Sequence, residues 1–133
     1  PQKIVLTIQR EVAERIIARD GKESILSLSV KAYGKPRIVA KVTKGNFNPP
    51  PSVDSAIILI ENITREAIVG TGEKKFFEVV KKGFSSKRKL LAGNLSSYGK
   101  ERVSVVFEKY AIPKKVRAED LRLEQWVNLA REI

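Results

Sequence analysis

Cysteine and histidine are both absent from the 133 residues. Without cysteine there are no disulfides, thiolate metal sites or cysteine nucleophiles. Without histidine the usual general base, the usual zinc ligand and every Ser-His-Asp type of triad are gone. Any catalysis by this chain would work through positioning and electrostatics. No apolar run approaches the roughly 20 residues that cross a bilayer, and no basic leader followed by an apolar stretch marks a secretory signal. Methionine is missing as well, and Pro1-Gln2-Lys3 runs straight into an apolar strand. The expectation is a fragment, or a processed or trimmed chain.

What is present is basic. Lysine and arginine number 26 against 15 acids, a net charge of +11. A chain this basic most often meets a polyanion, with nucleic acid ahead of an anionic membrane surface and of a merely solvated basic face. The hydrophobic fraction of 42% is that of a globular protein. The length suits one ordinary domain, or two small units sharing a core.

Ile4-Val5-Leu6-Thr7-Ile8 reads as a strand buried on both faces. Gln9 through Arg19 reads as a helix, with Val12, Ala13, Ile16 and Ile17 on its apolar side and Asp20-Gly21 as its stop. Residues 24–33 fit a helix face or an alternating strand; their length and the Gly34 stop favour helix. Strands follow at 36–43 and from Val53 to about Glu61. Asn62 to Gly72 looks like a linker. From Glu73 onward the pattern is helical, with an apolar stripe through Phe76, Val80, Phe84, Leu91 and Leu95 that Gly83 and Ser85-Ser86 could divide. Further helices are expected around Arg102–Tyr110 and around Leu123–Ala130. The fold class is therefore α/β plus all-α: residues 1–65 close an α/β sheet and residues 66–133 form a small helical domain.

Two stretches carry chemistry. Lys74, Lys81 and Arg88 repeat every seven residues, with Lys75, Lys82 and Lys89 beside them and Lys87 between. Two cationic rows opposite an apolar face would track a phosphate backbone; the competing reading is a solvated helix face. Lys115, Arg117 and Arg122 extend the patch. The second stretch is Phe47-Asn48-Pro49-Pro50-Pro51-Ser52-Val53-Asp54-Ser55. Its prolines fix φ and remove backbone donors, which makes a stiff, extended loop. Either Phe47 caps the core beside a tight connection, or the loop fixes its ring where a flat ligand lands. Gly70-Thr71-Gly72 lacks the spacing of a phosphate loop. Glu119-Asp120 is read as favouring the dipole of the last helix. No metal constellation stands out.

Gln9-Arg10-Glu11-Val12-Ala13-Glu14-Arg15, Phe47-x-Pro49-x-Pro51-x-Val53-x-Ser55, Phe84-Ser85-Ser86-Lys87-Arg88-Lys89-x-Leu91 and Arg117-Ala118-Glu119-x-Leu121-x-x-Glu124-Gln125 resemble, in order, motifs of the small-subunit ribosomal RNA adenine N6,N6-dimethyltransferases. The third and fourth favour these enzymes over the related macrolide-resistance methyltransferases. The resemblance implies a Rossmann-like methyltransferase sheet, methyl transfer from S-adenosylmethionine to N6 of adenine, small-subunit ribosomal RNA or the ribosomal subunit as partner, a role in ribosome biogenesis, and a cytoplasmic setting without membrane contact. It implies that Phe47 stacks on the extruded adenine while Pro49 and Pro51 keep the loop rigid. Lys74, Lys75, Lys81, Lys82, Lys87, Arg88, Lys89 and Arg117 would meet RNA.

The departures are as informative. There is no glycine-rich cofactor loop after a first strand, no acid to hold a ribose, and no Asn-Leu-Pro-Tyr-like motif. The family's amino-terminal half is missing, so no cofactor is expected to bind this chain alone, and alone it is expected not to methylate. Arg122 stands where the family usually caps its last helix with Ser or Thr, a loss of about 1 kcal/mol. The expected entity is the C-terminal part of such an enzyme, paired with the missing half or self-associated through exposed sheet edges. A non-catalytic RNA- or ribosome-binding module is the alternative. A structural domain with incidental charge is a third reading.

Overall fold

A computed structural model describes residues 2–46, 49, 53–68 and 71–133. Three strands form one antiparallel sheet in the order β1-β3-β2, with β1 at Ile4–Gln9, β2 at Lys35–Val42 and β3 at Ser55–Glu61. Both outer strands run antiparallel to β3, so they are parallel to each other and need a crossover. Helices α1 (Arg10–Ile16) and α2 (Ile25–Lys31) supply it. Residue Val39 bulges out of register between Ile38 and Ala40.

The ambiguous stretch at 24–33 is helical because its first turn closes on itself. Ser24 Oγ accepts from the Ser27 amide (3.1 Å), and the Ser24 amide donates to Ser27 Oγ (2.8 Å). Helix α1 is shorter than expected, ending at Ile16 with Ala18 in the left-handed region (φ 53°). The 62–72 stretch is more than a linker. It contains a 3₁₀ turn at Glu66–Ile68, and Ile68 is buried in the core.

One expectation for the sheet is corrected. β1 is not buried on both faces: Val5 is 63% and Leu6 42% exposed. It lies at the edge of the sheet, and only one sheet face carries a helical layer. On that face Ala56 and Ile58 of β3 are fully buried with Ala13, Ile16 and Leu28 of the two helices. The opposite face shows Val5, Ile57 and Leu59 in register without a covering element among the described residues.

Helices α3 (Glu73–Gly83), α4 (Leu91–Asn94), α5 (Lys100–Lys109) and α6 (Leu123–Glu132) build the rest. Their core centres on Trp126, whose indole N–H donates to Leu121 O (3.1 Å). Leu28 and Ala32 of α2 belong to this same core, so α2 is packed on both the sheet and the helices. The two parts are also tied by the Glu23 amide donating to Glu119 O (2.8 Å) and by an ion pair between Lys22 and Asp120. The Lys22 ammonium holds the Asp120 carboxyl below its ordinary value. Glu119-Asp120 therefore does not serve the dipole of α6, as the sequence suggested. It sits in its own 3₁₀ turn ahead of that helix and bridges to the sheet side.

Arg122, a pure donor, cannot cap α6 through its side chain. Its amide instead donates to Gln125 Oε1 (3.0 Å), the reciprocal half of a capping box. This restores part of what the missing Ser or Thr would contribute.

Candidate nucleic-acid interface

On α3 the two cationic rows lie where the periodicity puts them. Phe76, Val79, Val80 and Gly83 face the core, while Lys74, Lys81 and Lys82 are exposed and Lys75 half-buried. The rows are not equivalent. Tyr98, from the turn before α5, lies under the second row: the Lys75 ammonium is 4.8 Å and the Lys82 ammonium 5.9 Å from its ring centroid. Its hydroxyl donates to Glu78 Oε1 (3.1 Å). Burial, and then the Glu78 carboxylate, push the Tyr98 hydroxyl above its usual value. Lys75 and Lys82 are thus partly held by cation–π attraction, and Lys74 and Lys81 point to water.

The heptad spacing does not carry through to Arg88 and Lys89. α3 ends at Gly83, and Lys87, Arg88 and Lys89 sit on an exposed turn between α3 and α4. Gly83, the last residue of the helix, carries no side chain where Trp126 occupies the space one would need. What looked like one long helical stripe is a helix face followed by a cationic turn.

That turn is held from beneath. Asn94, only 9% exposed, donates from Nδ2 to Gly83 O (2.8 Å) and to Ser86 O (3.0 Å). Ser85 Oγ donates to Lys82 O (2.7 Å), satisfying a carbonyl at the end of α3. Arg117, distant in sequence, donates from Nη1 to Lys87 O (3.1 Å). The fold so brings Arg117 next to the three cations of the turn, as the proposed patch requires. Lys115 and Arg122 are exposed but have no described tie to it. Neither Tyr98 nor Asn94 was singled out from the sequence. Tyr98 sat in a Ser-Ser-Tyr-Gly cluster that reads as a stop signal, and nothing local marks Asn94. Replacing Asn94 with Ala removes the side-chain donor from Gly83 O and leaves Ser86 O with only the Lys89 amide (3.3 Å), and should lower stability by about 1–3 kcal/mol. A shift in the urea midpoint without a change in slope would register it.

The second candidate stretch is described only in part. Phe47 and Pro51 lie outside the described residues; Pro49 is exposed. The neck of the loop is defined. Asp54 Oδ1 accepts from the Lys44 amide (2.9 Å), and Asp54 O accepts from the Arg10 amide (2.9 Å). These contacts bring the end of β2, the start of β3 and the junction of β1 with α1 together. The loop therefore rises at the carboxyl ends of the two parallel strands, the end of an α/β sheet where ligands usually bind. A cavity of about 380 Å³ opens there, lined by Arg10, Glu11, Glu14, Lys44, Val53 and Asp54.

Comparison with known proteins decides the family. The family model described as Ribosomal RNA adenine dimethylase matches residues 1–133. The chain belongs to the ribosomal RNA adenine dimethylase family. Among relatives of this chain, the ribosomal RNA small subunit methyltransferase A of Dehalococcoides mccartyi is 36% identical over 129 residues, covering 95% of the chain and 44% of its own length. The protein of that name from Trichormus variabilis is 39% identical over 130 residues, covering 96% and 48%. The chain thus spans about half the length of the curated relatives it matches. Among solved structures, a dimethyladenosine transferase from Plasmodium falciparum superposes with a TM-score of 0.77 at 26% identity, over 96% of the chain and 55% of that protein. The 23S rRNA methyltransferase ErmE gives a TM-score of 0.72 at 21% identity over 98% and 54%, a likeness of fold. No helix among the described residues is long and apolar enough to cross a membrane.

Proposed function

We propose that this chain supplies the RNA-binding and substrate-side part of an S-adenosylmethionine-dependent enzyme that dimethylates N6 of adenine in small-subunit ribosomal RNA. Residues 1–65 carry the last strands of the methyltransferase sheet and the proline loop, with Phe47 stacking on the target adenine and Pro49 and Pro51 stiffening its support. Residues 66–133 form the RNA-binding domain, in which Lys74, Lys75, Lys81, Lys82, Lys87, Arg88, Lys89 and Arg117 meet phosphates. The observation that carries this reading is the braced cationic turn after α3, continuous with an exposed cationic helix face and joined by Arg117. A turn whose backbone is already held loses little backbone freedom on meeting a polyanion, so more of the attraction survives as affinity.

The cavity at the loop neck does not fit the cofactor. An adenosyl group needs an apolar shelf for its purine and a carboxylate held for its ribose. The cavity beside the loop neck offers carboxylates in Glu11, Glu14 and Asp54, but only one small apolar side chain, Val53, and so no shelf for a purine. The isolated chain is therefore proposed to be inactive. The uncovered sheet face and the outer edge of β1 would receive the rest of the enzyme.

A non-catalytic RNA-binding module is the second reading, favoured by that same lack of fit. Incubation with radiolabelled S-adenosylmethionine and unmethylated small ribosomal subunits separates the two. The chain alone should incorporate no label, and addition of the amino-terminal half of a relative should restore incorporation. Label incorporated by the chain alone overturns the proposed inactivity. Failure of the mixed halves, with both shown folded and associated, leaves the module reading.

A further inference from the structure

A groove of about 670 Å³ runs between the sheet side and the helices, separate from the cavity at the loop neck. Its floor is apolar. Ile25 and Leu26, at the start of α2, are 39% and 37% exposed there, and the half-buried Phe84 lines it with a ring stacked on Trp126 (5.5 Å between centroids, 21° between planes). Its rim carries three cations, Lys87 and Lys89 of the braced turn and Arg15 of α1. Three acids stand along it as well. Glu23 is paired with Lys31 (2.8 Å), and Asp20 Oδ1 accepts from the Lys22 amide (2.9 Å). Glu119 has an exposed side chain.

That mixture selects among polyanion shapes. A paired A-form duplex offers continuous phosphate and no free base face; an apolar floor with acids nearby would gain nothing from it. An unpaired nucleotide offers both parts: a flat base for Leu26 and Phe84, and phosphates on either side for Lys87 and Lys89. Amino or hydroxyl donors on the base or ribose match the Glu119 carboxylate. An acidic peptide would meet the same cations but would leave the floor to whatever side chain it happened to carry.

We propose that this groove takes a single unpaired nucleotide of RNA, stacked on the Leu26–Phe84 floor with its flanking phosphates on the Lys87–Lys89 turn. This rests on the RNA-binding reading above and goes beyond it, because the cationic turn alone would bind any exposed backbone. It is also distinct from the proposed adenine contact at Phe47, which belongs to the loop at the strand ends.

The test compares two hairpin RNAs of equal length and charge, one fully paired and one with a single bulged 2-aminopurine. The bulged hairpin should bind about tenfold tighter, as one base stacked on a protein surface warrants, and its fluorescence should change on binding. Leu26→Gln, with Ile25→Gln as a second variant, should bring the affinity ratio close to one and abolish the fluorescence change; both positions are part-exposed, and an unchanged thermal midpoint certifies the fold. Equal affinities in the parent chain, or a ratio that survives both variants, overturn the groove proposal while RNA binding stands. Tighter binding of a polyglutamate peptide than of either RNA, or no RNA binding at low salt, overturns the groove proposal and the reading beneath it together.

Discussion

Reversing Lys81, Lys87, Arg88 and Lys89 to Glu is expected to lower RNA affinity by at least about 100-fold at 0.1 M salt. The four are chosen from the structure. Each is exposed, and none of their side chains is held over an aromatic ring, unlike Lys75 and Lys82. Their loss should therefore leave the core intact. If all four meet phosphates, the parent chain's log–log salt slope should contain a contribution of about −3 from them, and the variant should lose that part. Filter binding between 50 and 200 mM salt reads both quantities. An affinity that hardly changes with salt, and survives the reversal, would return the charge to a solvated surface and favour the structural-domain reading.

The largest stability effects are expected where α3 meets α6. Trp126 is fully buried, stacks on Phe84, and donates to Leu121 O. Trp126→Ala removes the centre of the helical core and should cost about 3–5 kcal/mol, a large part of the stability of an ordinary domain. Gly83→Ala attacks the same place from the other side. A Cβ there would lie 2.9 Å from both Leu91 Cδ1 and Trp126 Cζ3, and would press on Trp126 Cη2 as well. Overpacking of this kind costs about 1–3 kcal/mol. Because Gly83 O is also one of the carbonyls bonded by Asn94, its displacement should disturb the cationic turn. Thermal unfolding should show Trp126→Ala falling by more than about 10 °C and Gly83→Ala by less. Gly83→Ala should in addition weaken RNA binding more than its stability loss alone explains. A Gly83→Ala chain with an unchanged midpoint would mean that the ring can shift aside.

The connection between core and surface here is direct. The turn that carries Lys87, Arg88 and Lys89 is defined by Gly83, which yields to Trp126, and by Asn94 and Arg117, which hold its carbonyls. Packing of one indole therefore sets the geometry of three cations. A similar economy holds at the other end of the chain, where Asp54 closes the proline loop by accepting from Lys44 and Arg10.

Local chemistry was enough to determine the element types. β-branched apolar runs gave β1, β2 and β3; the 3.6-residue period gave α1, α3, α5 and α6; Ser24 and Ser27 decided α2 in favour of a helix. The order of those elements, the cationic rows of α3 and the family resemblance were all legible along the chain, because each depends on residues close in sequence. Tertiary structure alone decided the rest. It made β1 an edge strand with Val5 exposed, since burial depends on which layers cover a sheet and not on the apolarity of the strand. It ended α3 at Gly83, so that the seven-residue basic repeat passes from a helix face to a turn, and it packed a ring 43 positions later against that glycine. It gave Asp120 to Lys22 across 98 residues and brought Arg117 to Lys87 across 30. Periodicity records which way a side chain faces on its own element; only the packed chain determines what stands opposite.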